Sequence, residues 1–175
     1  CSLIFRLLFG PLRSLLGMVT QDTRLLASSV RDNISLYDGA ISLPQIESAA
    51  RLAEIHDDVM RLGLGYDTVL SDGGGSLSGG QRRRLSLARA RLRSPSGLVL
   101  DAATSQLDTV TERRVQENLR RLACTRIVIA HRLSTVRDAD RIVVLERGRV
   151  VDIGRHSELS VRCRLYRELV GAQSG

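Results

Sequence analysis

Residues 77–101 read LSGGQRRRLSLARARLRSPSGLVLD, and this stretch decides the class of fold. After its opening glycines, the pattern over 79–93 is that of a helix, which Pro95 ends. The apolar run 98–100 then predicts a buried strand that closes on Asp101. A helix followed at once by a buried strand ending in a carboxylate favours an α/β layer.

The alternation of strand and helix continues on both sides of this stretch. Further strands are predicted at 15–20, 127–129, 142–145 and 150–153, helical segments near 30–34, from Pro44 to Ala53 and after Asp57, a helix over 108–123, and a helical tail. The last two strands flank Arg147-Gly148 as a hairpin. Strands that end at polar residues and alternate with helices predict an α/β fold with its chemistry at the strand carboxyl ends.

The start of the 79–93 helix carries the strongest local motif. Ser78, Gly79 and Gly80 would expose backbone N–H groups where the helix dipole is positive, which suits a phosphate. The alternative is a glycine-rich loop with Ser78 as an ordinary N-cap. The motif alone does not decide between them.

Polar residues at element ends add to that motif. Asp101 closes a buried strand, and this is the position of a carboxylate that holds Mg²⁺ beside a bound nucleotide. Asp108 precedes the next helix, while Gln21 and His131 each follow a strand. Singly, such residues are most often caps or satisfied polar contacts; four in order at element ends favour a functional site.

Composition excludes some chemistry. The chain has 175 residues and a formal net charge of +7, and all 26 of its cations are arginine. No lysine nucleophile, lysine base or P-loop lysine can therefore be present in this sequence. The basic charge suits nucleic acid or anionic membrane, although solubility is the commoner reason for such a charge. Three widely spaced cysteines give neither a metal pattern nor a disulfide framework, which favours a reducing compartment.

Taken together, these motifs identify a family resemblance. The residues that carry it are Leu77–Gln81, Leu98–Asp101, Ser105–Asp108, Gln21 and His131, which match the signature motif, Walker B, D-loop, Q-loop and H-loop of one family. The chain resembles the nucleotide-binding domain of an ABC transporter of exporter type. The stretch 71–76 is similar to exporters of peptides and bacteriocins.

The resemblance implies a fold and its organisation. The fold is α/β, a P-loop NTPase-type (RecA-like) core that lacks its N-terminal strands and has an inserted helical subdomain. Residues 1–22 would be the remnant of the ATP-binding core, 23–94 the helical subdomain with the signature motif, and 95–175 the C-terminal part of the core.

The resemblance also implies roles, cofactors and partners. Two such domains clamp two ATP molecules, so Ser78, Gly79, Gly80 and Gln81 would contact ATP held by a second nucleotide-binding domain. Asp101 would hold Mg²⁺, with Gln21 sensing the metal and the attacking water. His131 would contact the γ-phosphate, and Asp108 would couple the two sites.

The implied setting is a membrane transporter. A transmembrane domain would be a further partner, the location would be the cytoplasmic face of the plasma membrane, and no nucleic acid is expected.

Two departures from the family bear on catalysis. Ala102 stands where a glutamate polarises the attacking water, and a methyl group accepts no proton. No G-x-x-x-x-G-K-[ST] occurs in the sequence, although Cys1–Gly10 aligns with the end of that motif, with Ser2 at the Mg²⁺-binding hydroxyl. We therefore expect a truncated or degenerate ATPase domain that alone is inactive or severely impaired and at most completes a partner's ATP site.

Two other interpretations remain open. The chain is alternatively a soluble ATPase of the same superfamily that acts on nucleic acid or in translation, which Arg82–Arg84 superficially favour. It is alternatively the product of a decaying gene.

Overall fold

A three-stranded sheet forms the layer that residues 77–101 predict. The computed structural model describes residues 15–21, 23–101, 107–129 and 136–171. Strands β1 (Leu16–Val19), β2 (Gly97–Asp101) and β3 (Thr125–Ile129) lie in the order β1-β2-β3. β1 and β2 are parallel, with Val19 opposite Leu100, so both strands end at the same edge of the sheet.

Helices lie between these strands and after them. They are α1 (Val30–Ser35), α2 (Leu43–Leu52), α3 (His56–Met60), α4 (Gly79–Arg91), α5 (Thr109–Arg120), α6 (His156–Arg162) and α7 (Arg164–Gly171), with short 3₁₀ turns at Gly65–Asp67 and Asp72–Gly74. The α/β fold predicted from the sequence is confirmed. α3 begins one residue before Asp57 rather than after it, and α4 ends two residues before the predicted 93.

The apolar residues of α2 and α4 that recur every three or four positions are buried in the core. Ile46, Ala49 and Ala50 form the buried face of α2, and Leu85 and Ala88 that of α4. Burying one such large side chain contributes about 1.5–3 kcal/mol. This packing fixes α4, and with it the glycine-rich start of the helix.

A glycine lets β1 approach α4 closely. A Cβ on Gly17 would collide with the backbone carbonyl of Ala90 on α4 and come within 2.7 Å of a methyl group of Leu98. Position 17 is therefore closed to any larger side chain, and β1 lies directly against the helix.

A buried aromatic pair joins α3 to the 3₁₀ turn that follows it. The Tyr66 hydroxyl lies 2.9 Å from Nδ1 of His56, and both side chains are buried. Their ring centroids are 5.9 Å apart. This hydrogen bond satisfies both polar atoms inside the helical region.

The chain divides into two compact units, Cys1–Ile127 and Val128–Gly175. In the second unit, β4 (Ile142–Glu146) and β5 (Arg149–Gly154) form the predicted antiparallel hairpin. Arg147 and Gly148 both have left-handed φ angles, 50° and 76°, as a two-residue turn of this type requires.

The second unit has a core of its own. It is made by one face of the hairpin and by α6 and α7, and its buried residues are Ile142, Val144, Leu159, Cys163 and Tyr166. Within the described part of the chain, every helix is too short or too polar to cross a bilayer.

Candidate functional site

The N-terminus of α4 is held by a reciprocal cap. Ser78 has extended backbone geometry, and its Oγ accepts a hydrogen bond of 3.1 Å from the Gln81 N–H. In return, the Ser78 N–H donates to Oε1 of Gln81 at 2.9 Å. This is a capping box, and the S-x-x-Q spacing in the sequence is its signal. The serine cap was predicted from the sequence, whereas the return bond from Gln81 is visible only in the structure.

The capped end leaves two backbone donors for a ligand. Gly79 and Gly80 are the first two residues of a 13-residue helix, so their N–H groups have no acceptor within the helix. The Ser78 hydroxyl accepts from Gln81 and can donate its own hydrogen outward. Backbone donors without a helical acceptor at the positive end of a helix suit a phosphate, so both the cap and the phosphate interpretation of this motif fit the geometry.

The arginines that follow this cap are held by the protein itself. Arg82 donates to the carbonyl of Leu77 at 2.6 Å, and Arg84 lies 2.7 Å from the carboxylate of Asp58. Arg83 is only 6% exposed. These internal contacts hold the run RRR against the protein.

A carboxylate that the sequence analysis did not single out lies under the signature motif. Asp58 of α3 accepts from Nε2 of Gln81 at 3.2 Å, as well as from Arg61 and Arg84. Burial alone would raise the pKa of Asp58, but the hydrogen bonds from Arg61 and Gln81 and the charge of Arg84 outweigh it, so its pKa lies below its usual value. In the sequence, Asp58 looks only like a first-turn acidic residue of a short helix.

The carboxyl ends of β1 and β2 bring together two of the predicted residues. Asp101 lies one residue beyond Leu100 and Gln21 two beyond Val19, and these strand residues are opposite each other. Asp101 is half-buried and Gln21 is exposed. Gln21 and Asp101 therefore follow neighbouring parallel strands at the same edge of the sheet.

The oxygen donors at this edge fit Mg²⁺ that arrives with a nucleotide. Among the residues that the structure describes, no three His, Cys, Asp or Glu side chains converge as a metal site. Mg²⁺ needs less: it is commonly bound by one or two carboxylates together with water and substrate phosphates. The carboxylate of Asp101 and the amide oxygen of Gln21 suit that mode of binding.

The segment after Gln21 is tied to α4 by hydrogen bonds of Asn33 and Arg89. Asn33 of α1 accepts the Leu26 N–H at 2.8 Å and donates to the Leu26 carbonyl at 3.0 Å. From α4, Arg89 donates to the Asn33 carbonyl at 2.7 Å and to the Arg24 carbonyl at 3.2 Å. The chain that leaves β1 is therefore anchored to the same helix that presents the signature motif.

Asp108 caps α5. Its carboxylate accepts the Thr111 N–H at 2.9 Å, and this hydrogen bond is the main reason that the pKa of Asp108 lies below its usual value. The side chain is exposed, so ionised Asp108 serves the helix and faces solvent.

The remaining predicted site residues lie outside the described part of the chain. They are His131, Ala102, the residues Ser105 and Gln106 of the predicted D-loop, and the stretch Cys1–Gly10. Their roles stay predictions from the sequence.

Comparison with known proteins places this geometry in context. Residues 10–105 match the family model described as ABC transporter. The chain is 47% identical over 168 residues to the cyclolysin secretion/processing ATP-binding protein CyaB of Bordetella pertussis, covering 95% of this chain and 24% of the relative. It is 49% identical over 160 residues to the ATP-dependent lipid A-core flippase of Syntrophus aciditrophicus, covering 90% of this chain and 27% of that protein.

A solved structure shows the same fold. A bacterial Atm1-family ABC exporter with ATP bound superimposes with a TM-score of 0.90 at 39% sequence identity, covering 95% of this chain and 29% of the exporter chain. The chain spans about a quarter of the length of the curated relatives it matches.

Proposed function

The chain belongs to the ABC transporter family, and from this premise we propose that it acts in the ATP-binding component of an exporter, where its signature motif completes an ATP site on a second nucleotide-binding domain. The observation that carries the proposal is the capped N-terminus of α4, where Ser78 is exposed and the N–H groups of Gly79 and Gly80 lie in the first turn without an acceptor inside the helix. The similarity to exporter ATP-binding proteins supports it.

The signature motif would act by binding the negative charge of a phosphate group. Ser78 and the backbone of Gly80 would donate to the terminal phosphate of ATP held by the partner domain, with Gly79 and Gln81 shaping the same surface. Hydrogen-bond donors that are in place before the nucleotide binds need not rearrange when it does. Such pre-arranged donors are the usual source of electrostatic stabilisation in enzyme sites. Asp108, exposed at the start of α5, would reach the partner and couple the two sites.

Asp101 and Gln21 would form the metal-binding edge of this chain's own half of the site. Bound Mg²⁺ would neutralise phosphate charge, while Asp101 supplies a carboxylate and Gln21 an amide oxygen. Burial of the strand up to Leu100 fixes Asp101, and the bonds of Asn33 and Arg89 fix the segment that carries Gln21.

Hydrolysis at this chain's own half would be weak. His131 would contact the γ-phosphate, but Ala102 gives no general base, and general-base assistance is typically worth about 10²–10⁴-fold. The chain would therefore contribute a signature motif more effectively than a hydrolytic centre.

The proposed setting is the cytoplasmic face of the plasma membrane. The partners would be a second nucleotide-binding domain and a transmembrane domain, and the cofactors ATP and Mg²⁺. Within the chain, 23–94 would be the helical subdomain, and 1–22 and 95–175 would belong to the ATP-binding core.

The proposal is tested by complementation. The chain is mixed with a partner nucleotide-binding domain that keeps its P-loop but has its own signature serine disabled, and ATPase turnover is measured. We expect the chain to raise turnover and Ser78→Arg to abolish the gain, because arginine would fill the phosphate position. Ser76→Arg, at an exposed position just before the motif, is the matched control and should keep the gain. Equal turnover with the Ser78→Arg chain would refute the role.

A further inference from the structure

The side-chain amide of Gln81 is bonded at both ends. Its Oε1 accepts from the Ser78 N–H at 2.9 Å, and its Nε2 donates to Oδ1 of Asp58 at 3.2 Å. The capping box requires the amide oxygen of Gln81 to face the Ser78 N–H. A flipped amide would instead place the NH₂ group of Gln81, a donor, against that N–H donor. Asp58 accepts only, so it selects the orientation that closes the cap.

The carboxylate that makes this selection is itself fixed. The Asp58 side chain is 16% exposed, and its Oδ2 lies 2.7 Å from Nη1 of Arg84. Gln81 and Arg84 are three residues apart on α4, so they lie on one face of that helix. Arg61 also bonds to Oδ1, from the end of α3. One carboxylate thus joins two positions of the signature helix to α3.

We infer that Asp58 is a positioning residue for the signature motif: through Gln81 it holds the Ser78 backbone and hydroxyl in the arrangement that receives phosphate. The inference rests on the proposed function and adds to it a residue that lies 20 positions before Ser78. Asp58 does not touch the nucleotide in this scheme. Its effect on turnover passes through the Gln81 amide.

A swapped pair tests the link. Gln81→Glu replaces the NH₂ group that donates to Asp58 with a carboxylate oxygen. The carboxylates at positions 58 and 81 then repel each other, and the cap at Ser78 opens. In the Asp58→Asn/Gln81→Glu double variant, the introduced asparagine donates to the introduced glutamate, whose other oxygen accepts from Ser78. Glutamate is itself a preferred residue at this capping-box position. A change confined to fold stability would alter exchange along the whole of α4 and not only at its N-terminus.

Turnover is measured in the complementation assay with the partner domain. Gln81→Glu should lower the gain in ATPase turnover by about tenfold, in the range expected for a displaced binding group. The double variant should restore most of it. Asp57→Asn/Gln81→Glu is the matched control, since Asp57 lies next to Asp58 in the first turn of α3 but is exposed, and it should restore nothing. Losses that simply add in the double variant would overturn the inference.

Hydrogen exchange of the chain alone gives a second readout. Gln81→Glu should speed exchange at the Ser78 and Gln81 amides and leave mid-helix amides such as Ala88 unchanged, and the double variant should restore slow exchange. Unchanged exchange at Ser78 in Gln81→Glu would also overturn the inference. If Ser78→Arg leaves turnover unaffected while exchange responds as expected, the proposed function fails and the positioning of Ser78 by Asp58 stands.

Discussion

Gly17 shows how one residue sets the distance between a strand and a helix. With no side chain, it lets β1 lie directly against the backbone of α4 at Ala90. The strand that precedes Gln21 and the helix that begins after Ser78 are therefore held together at a position that carries no functional group.

Replacing that glycine tests the close approach. Gly17→Ala should destabilise the chain by about 1–3 kcal/mol, because the added methyl group meets backbone that cannot move aside easily. Gly39→Ala is the matched control: a Cβ there meets nothing within 4 Å, so stability should be kept or slightly raised. Denaturant unfolding of both variants measures the difference, and equal midpoints would contradict the close approach.

At the scale of elements, α4 serves as the anchor of the whole site. Its N-terminus presents the signature motif, and Arg89 near its C-terminus holds the chain segment that follows Gln21. The same helix therefore carries Gly79 and Gly80 at one end and contacts the segment after Gln21 at the other.

Arg89→Met should loosen the segment while leaving α4 intact. Losing hydrogen bonds from a charged donor costs about 1.5–3 kcal/mol, and the Leu26 amide should exchange faster with solvent because Asn33 is less constrained. Arg93→Met is the control, since the Arg93–Asp38 pair is exposed, with 58% of the arginine side chain accessible. Equal amide exchange at Leu26 in the two variants would show that Arg89 does not anchor the segment.

The sequence predicts elements well here and long-range polar contacts poorly. Strand β2, helix α4 and the hairpin turn at Arg147-Gly148 follow from local periodicity and turn chemistry, which act over a few residues. The bond from Gln81 to Asp58 joins positions 23 residues apart, and that from Arg89 to Asn33 joins positions 56 apart. Such pairs form only after the helices have packed, so no local pattern contains them.

The candidate site divides in the same way. Ser78, Asp101 and Asp108 were identified because each ends or begins an element, a position visible in the sequence. Asp58 was missed because its function depends on which helix packs above it.

At the scale of the molecule, the second unit has one apolar hairpin face buried and the other exposed. Val144 is buried against α6 and α7, whereas Val143 and Ile153, which lie opposite each other across the hairpin, are 50% and 45% exposed. Adjacent exposed apolar side chains on a sheet promote self-association.

Changing the exposed pair should improve solubility without loss of stability. In Val143→Thr/Ile153→Thr the β-branched shape suited to a strand is kept, so the unfolding midpoint should hold while the concentration at which the chain aggregates rises. Val144→Thr is the matched control and should lower the midpoint, because it buries a hydroxyl. Light scattering and thermal unfolding measure both quantities, and unchanged aggregation in the double variant would contradict the prediction.

The buried Tyr66 has a consequence for behaviour in base. Burial raises the pKa of its phenol to about 12, against about 10 in an unfolded chain. The folded state thus favours the neutral phenol, and this stabilisation is complete below pH of about 10 and declines as the pH rises toward 12. Because every cation is arginine, the ion pairs keep their charge throughout this range. Unfolding in base should therefore be accompanied by a rise in tyrosinate absorbance. Tyr66→Phe should reduce the loss of stability above pH of about 10, because the variant has no phenol to ionise. An unchanged profile of stability against pH would assign that loss to other groups.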